Sequence, residues 1–168
     1  IIKDGPDALN QLTAVIRRIE RNRKTKILVV DDSRVSRMTV KRILESQKFE
    51  VLEAGNGKRA LEVLEQEPSI RLVVTDYNMP GMDGFELVRR IRQLYSADQL
   101  AVIGISGHGG SVLSAKFLKR GANDFIVKPF SNEEFFWRIN QNIELLEYID
   151  TLKMASTRDY MTGLANRR

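Results

Sequence analysis

Cysteine is absent from this chain of 168 residues, and His108 is its only histidine. The missing thiols exclude disulfides, thiolate metal sites and a cysteine nucleophile. A single imidazole excludes multi-histidine metal clusters. No apolar run approaches the ~20 residues of a membrane-spanning helix, and the first residues do not form a signal peptide. We therefore expect a cytoplasmic protein with no membrane partner. Because residue 1 is not methionine, we also expect the chain to be a piece of something longer.

The net charge of +5 comes from one short segment. Residues 17–26 carry six basic side chains against Glu20 alone. No aromatic residue or second basic segment accompanies them, as a phosphate-binding surface would require. We expect this segment to be a solvated linker surface, with no nucleic-acid partner.

From residue 26 onward, short apolar runs alternate with segments of helical period. The runs predict strands at 27–30, 49–54, 70–75, 100–105 and 124–127. The apolar spacing predicts helices at about 34–47, 60–64, 85–94 and 111–120, and from 132 to about 155. Strands that are apolar on both faces, each followed by a helix, are typical of an α/β fold with a parallel sheet covered on both sides.

Polar residues end four of these five strands. They are Asp31, Asp32, Asp76, Ser106 and Lys128. Because the carboxyl ends of parallel strands share one edge, where ligands bind, we expect these side chains to converge. Three neighbouring carboxylates repel unless one is protonated or a cation neutralises them. The oxygen-only donor set favours Mg²⁺, and the lysine and the hydroxyl suit phosphoryl oxygens. The set fits an aspartate that accepts a phosphoryl group.

The motifs around these residues carry a family resemblance. Segment 73–84 reads VVTDYNMPGMDG, segment 105–107 reads ISG and segment 124–130 reads DFIVKPF. Together with the acidic pair after residues 27–30, they make the chain from 26 to about 146 resemble the receiver domain of bacterial two-component response regulators. We therefore assign residues 25–146 to a receiver domain. The resemblance implies a flavodoxin-like, doubly wound (βα)5 fold with five parallel strands in the order 2-1-3-4-5.

The resemblance also implies roles for the acidic residues. Asp76 would accept a phosphoryl group from a phosphohistidine on a sensor histidine kinase or phosphotransfer protein. Mg²⁺, with Mn²⁺ as an alternative, would be held by Asp32, Asp76 and the backbone carbonyl of Asn78, and by Asp31 through water.

Three further residues receive roles in the same way. Ser106 would turn toward the bound phosphoryl oxygens, and Lys128 would pair with them. The Lys128–Pro129 bond would be cis. Phe125 stands at the aromatic switch position of the family, where tyrosine is more frequent. It also fits an ordinary core aromatic. We expect His108, in its glycine-rich loop, to be exposed and without a role.

Beyond residue 146 the apolar period continues. We expect residues 147–158 to form a linker helix that pairs with a second copy as a coiled coil; packing on its own domain is the alternative. A homodimer would use this helix and the helices after strands four and five. Segment 159–168 reads DYMTGLANRR and resembles the start of a GGDEF (diguanylate cyclase) domain. The cyclase signature itself is absent, so cyclic di-GMP synthesis would belong to the parent protein.

Residues 1–24 predict a flanking helix to about residue 21. Ile1-Ile2-Lys3 repeats Ile126-Val127-Lys128, so this segment is either the tail of a preceding receiver domain or an unrelated linker helix. Asp4 stands where the repeat would need proline.

Two other functions remain open from the residues. One is a pseudo-receiver that serves as a protein-interaction module. The other is a phosphohydrolase with an aspartate nucleophile, although Asn78 occupies the position where haloacid dehalogenases place a second aspartate. Whether the chain is an enzyme stays open, because the only chemistry that we expect of it is its own phosphorylation and dephosphorylation.

Overall fold

The structure is a computed structural model that describes the backbone of residues 5–165 and the side chains of residues 5–158. The strands are β1 (Lys26–Val30), β2 (Glu50–Ala54), β3 (Ile70–Asp76), β4 (Ala101–Ser106) and β5 (Asp124–Val127). The helices are α1 (Pro6–Arg23), α2 (Arg34–Ser46), α3 (Gly57–Gln66), α4 (Gly84–Leu94), α5 (Gly110–Lys119) and α6 (Asn132–Ala165). Every predicted element is present, with shifts of a few residues at the ends except at the end of α6.

All neighbouring strands pair in parallel, in the order β2-β1-β3-β4-β5. This confirms the predicted flavodoxin-like fold. Val30 lies beside Thr75, and Asp76 lies beside Ile105. The register therefore brings the ends of β1, β3 and β4 to the same edge of the sheet.

Helices cover both faces of the sheet, because side chains along each strand alternate between two apolar clusters. On one face, residues such as Leu28, Val73 and Val102 pack against α3, α4 and α5. On the other, residues such as Val29 and Val74 pack against α2 and α6. A parallel sheet needs such cover on both sides.

Polar side chains start the helices that follow the strands. Ser33, Asn56 and Asp83 each accept a hydrogen bond from the backbone N–H three residues later, at the starts of α2, α3 and α4. These bonds satisfy amide groups that have no partner inside the helix. Each helix therefore begins right after the loop at the carboxyl edge of the sheet.

Helix α6 extends beyond the predicted end near residue 155, to Ala165. Two charge pairs hold it against the opposite, amino-terminal edge of the sheet. Asp150 lies 2.6 Å from Arg71 at the start of β3, and Lys153 lies 2.6 Å from Asp98 in the α4–β4 loop. The segment that resembles a GGDEF opening continues this helix as far as Ala165, and residues 166–168 lie outside the described residues.

Helix α1 forms as predicted and is almost wholly exposed, including the apolar side chains of Leu9, Leu12 and Ile16. Its last turn contacts α6, where Arg21 donates to the Asn140 side chain at 2.6 Å and lies 3.4 Å from Glu144. Part of the basic segment 17–26 is therefore engaged within the chain. Residues Ile1-Ile2-Lys3 lie outside the described residues. No helix in the described part of the chain is long and apolar enough to cross a membrane.

Gly104 provides a test of the packing under β4. A Cβ there would lie 2.8 Å from two ring carbons of Phe117, which is fully buried. We expect Gly104→Ala to lower the free energy of unfolding by about 1–3 kcal/mol, the usual range for an overpacked core. At Gly55 the nearest atom to an added Cβ is 3.7 Å away, so Gly55→Ala should change the free energy of unfolding by less than ~0.5 kcal/mol. Urea denaturation measures both, and equal effects would contradict this packing.

Candidate phosphoacceptor site

Both the backbone and the side chain of Asp31 are hydrogen-bonded in the turn after β1. Its N–H donates to the carbonyl of Ala54 at 3.2 Å, which continues the pairing with β2. Its Oδ1 accepts a hydrogen bond from the N–H of Ser33 at 2.9 Å. The residue is only 4% exposed, so this carboxylate lies inside the edge of the sheet. Asp32 follows it and is exposed.

Asp76, the last residue of β3, completes an acidic cluster with Asp31 and Asp32. The three residues offer carboxylate oxygens that all lie within 4.8 Å of one another. Unit charges 4 Å apart interact by about 1 kcal/mol in water and roughly four times that near a protein surface. Burial raises the pKa of Asp31, and the charges of Asp76 and Asp32 raise this pKa further. The hydrogen bond from Ser33 and the charge of Lys128 act in the opposite direction.

Lys128 brings a positive charge to the acidic cluster. Its Nζ lies 3.4 Å from Oδ1 of Asp76 and 4.0 Å from Oδ2 of Asp31. Its backbone N–H donates to the carbonyl of Ser106 at 2.9 Å, and the Lys128–Pro129 bond is cis, as the sequence predicted. One ammonium group beside three carboxylates leaves a net negative pocket.

The Ser106 hydroxyl lies at the end of β4 and is bonded to the backbone of the next loop. It accepts a hydrogen bond from the N–H of His108 at 3.1 Å and donates to the His108 carbonyl at 3.0 Å. The side chain of His108 is exposed, as expected. The structure thus brings Ser106 to the expected edge, with its hydroxyl bonded into the β4–α5 loop.

Phe125 is buried and belongs to a line of aromatic rings. Its ring centroid lies 5.1 Å from that of Phe117, and Phe117 lies 4.7 Å from Phe85. Tyr77, next to Asp76, lies 4.8 Å from Phe85. Tilted contacts at these distances are favourable for aromatic pairs. The line connects the predicted switch position to the residue after Asp76.

Asn78 lies in the loop between β3 and α4, with an exposed side chain. This loop closes on Tyr77, whose carbonyl accepts hydrogen bonds from the N–H groups of Met79 at 3.1 Å and Gly84 at 2.9 Å. These two bonds hold the loop that contains Asn78, two residues after Asp76. Its part in binding metal through the backbone carbonyl stays a prediction.

Sequence reasoning missed Arg37. Its guanidinium donates to the carbonyl of Asp31 at 2.7 Å and to Oε1 of Glu53 at 3.2 Å. The six-residue separation from Asp31 is compatible with such a contact, but nothing in the sequence says which way the side chain turns.

The response regulator receiver domain family matches residues 27–140, more than half of the chain. The chain therefore belongs to this family and contains the receiver domain of a two-component response regulator. Receiver domains interact with histidine kinases or phosphotransfer proteins.

Curated relatives agree with this assignment. The two-component response regulator ORR5 of Oryza sativa subsp. japonica is 38% identical over 113 residues, which cover 67% of this chain and 84% of that protein. The chemotaxis protein CheY1 of Helicobacter pylori is 39% identical over 107 residues, covering 63% of this chain and 86% of CheY1.

Among solved structures, a two-component system response regulator/GGDEF domain protein is 46% identical, with a TM-score of 0.78. The match covers 88% of this chain and 60% of that one, so this chain spans less than two thirds of that neighbour. The CheX–CheY–BeF3–Mg²⁺ complex of Borrelia burgdorferi matches with a TM-score of 0.64 and 31% identity, over 68% of this chain and 86% of that one.

The acidic cluster fits a hard divalent cation. Receiver domains generally bind Mg²⁺ through such a cluster, and Asp31, Asp32 and Asp76 offer only carboxylate oxygens. Burial and, after it, the charges of Asp76 and Asp32 raise the pKa of Asp31, and a bound cation would relieve the part that those charges cause.

Removal of one of these negative charges should raise the stability of the protein even without metal. A carboxyl whose pKa is raised by folding destabilises the folded protein when ionised, and this effect disappears as the pH falls through the raised pKa. Asp31→Asn removes the charge and keeps an oxygen that can accept from Ser33. We expect the melting temperature in EDTA at neutral pH to rise by about 2–4 °C, for a relief of roughly 1 kcal/mol.

The control is Asp83→Asn, because asparagine caps a helix as well as aspartate does. Its melting temperature should stay close to that of the wild type. The gain of Asp31→Asn should shrink in acidic buffer. A variant that melts lower than the wild type in EDTA would contradict the repulsion.

Proposed function

We propose that the chain is a phospho-accepting switch in which Asp76 receives a phosphoryl group from the phosphohistidine of a sensor histidine kinase or phosphotransfer protein in the cytoplasm. The observation that carries this proposal is the position of the Asp76 carboxylate. It lies in the three-carboxylate cluster and, at the same time, 3.4 Å from the ammonium of Lys128. That arrangement provides a nucleophile beside a lysine and beside carboxylates that would hold a cation.

In the transfer, a carboxylate oxygen of Asp76 attacks phosphorus and forms the new P–O bond. The P–N bond of the phosphohistidine breaks, its electron pair returns to the imidazole, and the imidazole takes up a proton. Lys128, already paired with Asp76, would then pair with the phosphoryl oxygens. Positioning and charge neutralisation are the main contributions that a protein makes to this type of reaction.

Asp31, Asp32, Asp76 and the backbone carbonyl of Asn78 would hold Mg²⁺, and the same oxygens accept Mn²⁺. The bound cation supplies neutralisation of the charge on the phosphoryl oxygens. As the family resemblance implies, Asp31 would bind it through water, and its Oδ1 also accepts a hydrogen bond from the N–H of Ser33. The Borrelia relative, bound to BeF3 and Mg²⁺, supports this part of the proposal.

Phosphorylation would change the surroundings of Ser106 and Phe125. The Ser106 hydroxyl would exchange its bonds to His108 for a bond to a phosphoryl oxygen, and the β4–α5 loop would move with it. Phe125 is already packed inward on Phe117. The two arrangements of the loop form the two states between which phosphorylation shifts the population.

The output would be dimerisation that controls a GGDEF domain, with cyclic di-GMP synthesis in the parent protein. Helix α6 exposes Leu145, Tyr148 and Leu152, each more than half exposed and spaced by three and four residues. This spacing is that of a coiled-coil seam. The α5 surface would join the dimer, and the 46% identical response regulator/GGDEF neighbour supports the nature of the output.

The domain arrangement follows the same proposal. Residues 25–146 form the receiver, 147–158 the linker helix and 159–168 the start of the GGDEF domain. Residues 1–24 would be the tail of a preceding receiver domain, and the repeat of Ile126-Val127-Lys128 in Ile1-Ile2-Lys3 supports this part of the proposal.

Phosphorylation can be tested by intact mass after incubation with acetyl phosphate and Mg²⁺. We expect one added phosphoryl group on the wild type, no adduct without Mg²⁺ and none on Asp76→Asn, which lacks the nucleophilic oxygen. A wild type that gives neither an adduct nor a beryllofluoride complex would contradict the proposal and favour the interaction module.

Dimerisation can be tested at the α6 surface. Leu152→Arg should weaken phosphorylation-dependent self-association at least about tenfold, because a charge cannot enter an apolar seam without cost. Leu94→Arg on α4 is the matched control, since Leu94 is 66% exposed and lies outside the seam. Sedimentation equilibrium of both variants with beryllofluoride measures the effect. Equal dimer affinities would contradict the seam.

A further inference from the structure

Arg37 on α2 lies beside the site and belongs to none of the groups that would bind the metal or the phosphoryl group. Its side chain is 18% exposed and reaches back over the turn after β1. There Nη1 donates to the carbonyl oxygen of Asp31 at 2.7 Å, and Nε donates to Oε1 of Glu53 at 3.2 Å. The guanidinium therefore links the turn that carries two acidic residues to strand β2.

Glu53 is itself fixed from a second side. Its Oε2 accepts a hydrogen bond from Nζ of Lys41 at 2.8 Å, while Oε1 accepts from Arg37. The hydrogen bond from Lys41, followed by the contacts with Arg37, holds the pKa of Glu53 below its ordinary value. Glu53 thus stays ionised at neutral pH, and Arg37 keeps a charged anchor on β2.

Through Arg37, every hydrogen-bonding part of Asp31 has a partner. The N–H donates to Ala54, the carboxylate accepts from Ser33 and the carbonyl accepts from Arg37. A charged donor forms a shorter and stronger hydrogen bond than a neutral one. This strong bond lies on the residue whose carboxylate is under the repulsion of its neighbours.

We propose that Arg37 is a positioning residue for the divalent-cation site: it holds the carbonyl of Asp31 and thereby the placement of the Asp31 and Asp32 carboxylates. The inference rests on the proposed function. The proposed effect is on geometry: Arg37 and Lys41 share Glu53 as a partner, so loss of either cation removes one positive charge, whereas only Arg37 also holds the carbonyl of Asp31. Outer hydrogen bonds that orient metal ligands typically change metal affinity by 10–100-fold when they are removed.

The chain offers a closely matched control. Arg37→Met removes the guanidinium and keeps an unbranched stem in place, whereas Lys41→Met makes the same kind of change on the same helix. Both variants lose a cationic partner of Glu53, but only Arg37→Met also loses the bond to Asp31. Arg37→Lys serves as the conservative variant, since one ammonium can reach a carbonyl but cannot form the two-sided link.

We expect Arg37→Met to raise the Kd for Mg²⁺ by 10–100-fold in isothermal titration calorimetry of the full chain. Lys41→Met should raise it by less than about threefold, and Arg37→Lys should lie between the two. Saturating Mg²⁺ should restore the initial rate of phosphorylation by acetyl phosphate in Arg37→Met.

A second measurement needs no metal. The amide of Ser33 donates to the Asp31 carboxylate, so its hydrogen exchange in EDTA reports the placement of that group. Exchange of this amide should be faster in Arg37→Met and unchanged in Lys41→Met.

The outcomes separate the inference from the proposed function. A wild type without Mg²⁺ affinity would overturn the proposed function. A wild type that binds Mg²⁺, with an unchanged Kd in Arg37→Met, would overturn the positioning role. If Arg37→Met does not fold, Arg37→Lys decides: a raised Kd for Mg²⁺ at an unchanged melting temperature supports positioning, and an unchanged Kd overturns it.

Discussion

Mutual repulsion among three carboxylates is the constraint around which this edge of the sheet is arranged. The chain places Asp31, Asp32 and Asp76 together because two parallel strands end side by side. Like charges this close would separate if the loops were free to move. Lys128 offsets part of the repulsion, and the hydrogen bond from Ser33 holds the most buried carboxylate in place. The remaining negative charge is what a bound cation would neutralise.

Close packing joins this polar edge to the apolar layer behind it. Gly84 follows the loop after Asp76, and a Cβ there would lie 2.8 Å from the carbonyl oxygen of Asp76 and from the ring of Phe117. The same ring contacts Phe125 on β5. A densely packed interior transmits small displacements instead of absorbing them. The acidic residue and the predicted switch residue are therefore mechanically connected through a single buried ring.

The sequence predicted the features that depend on chain order, and it missed those that depend on side-chain direction. The strand ends and their convergence follow from apolar runs and from the geometry of parallel sheets, so the acidic residues and Lys128 could be placed in advance. The start of α3 was missed, because the apolar residues that predict this helix begin at Ala60. Gly57 begins the helix beneath Met82, which leaves no room for a Cβ. The bond from Arg37 to Asp31 could not be predicted, because it depends on which way one long side chain turns in the folded chain.

Helix α6 is in contact with the domain at the edge of the sheet opposite the acidic site, so any tilt of its last part would pivot there. The acidic site lies at one edge of the sheet, while the pairs Asp150–Arg71 and Lys153–Asp98 grip the helix at the other. With a rise of about 1.5 Å per residue, the stretch after Lys153 extends roughly 18 Å past the last pair. A tilt of about 10° at that grip would swing its tip sideways by about 3 Å, around two residues' worth of helical rise. A small repacking inside the domain is thus enlarged at the far end of the helix.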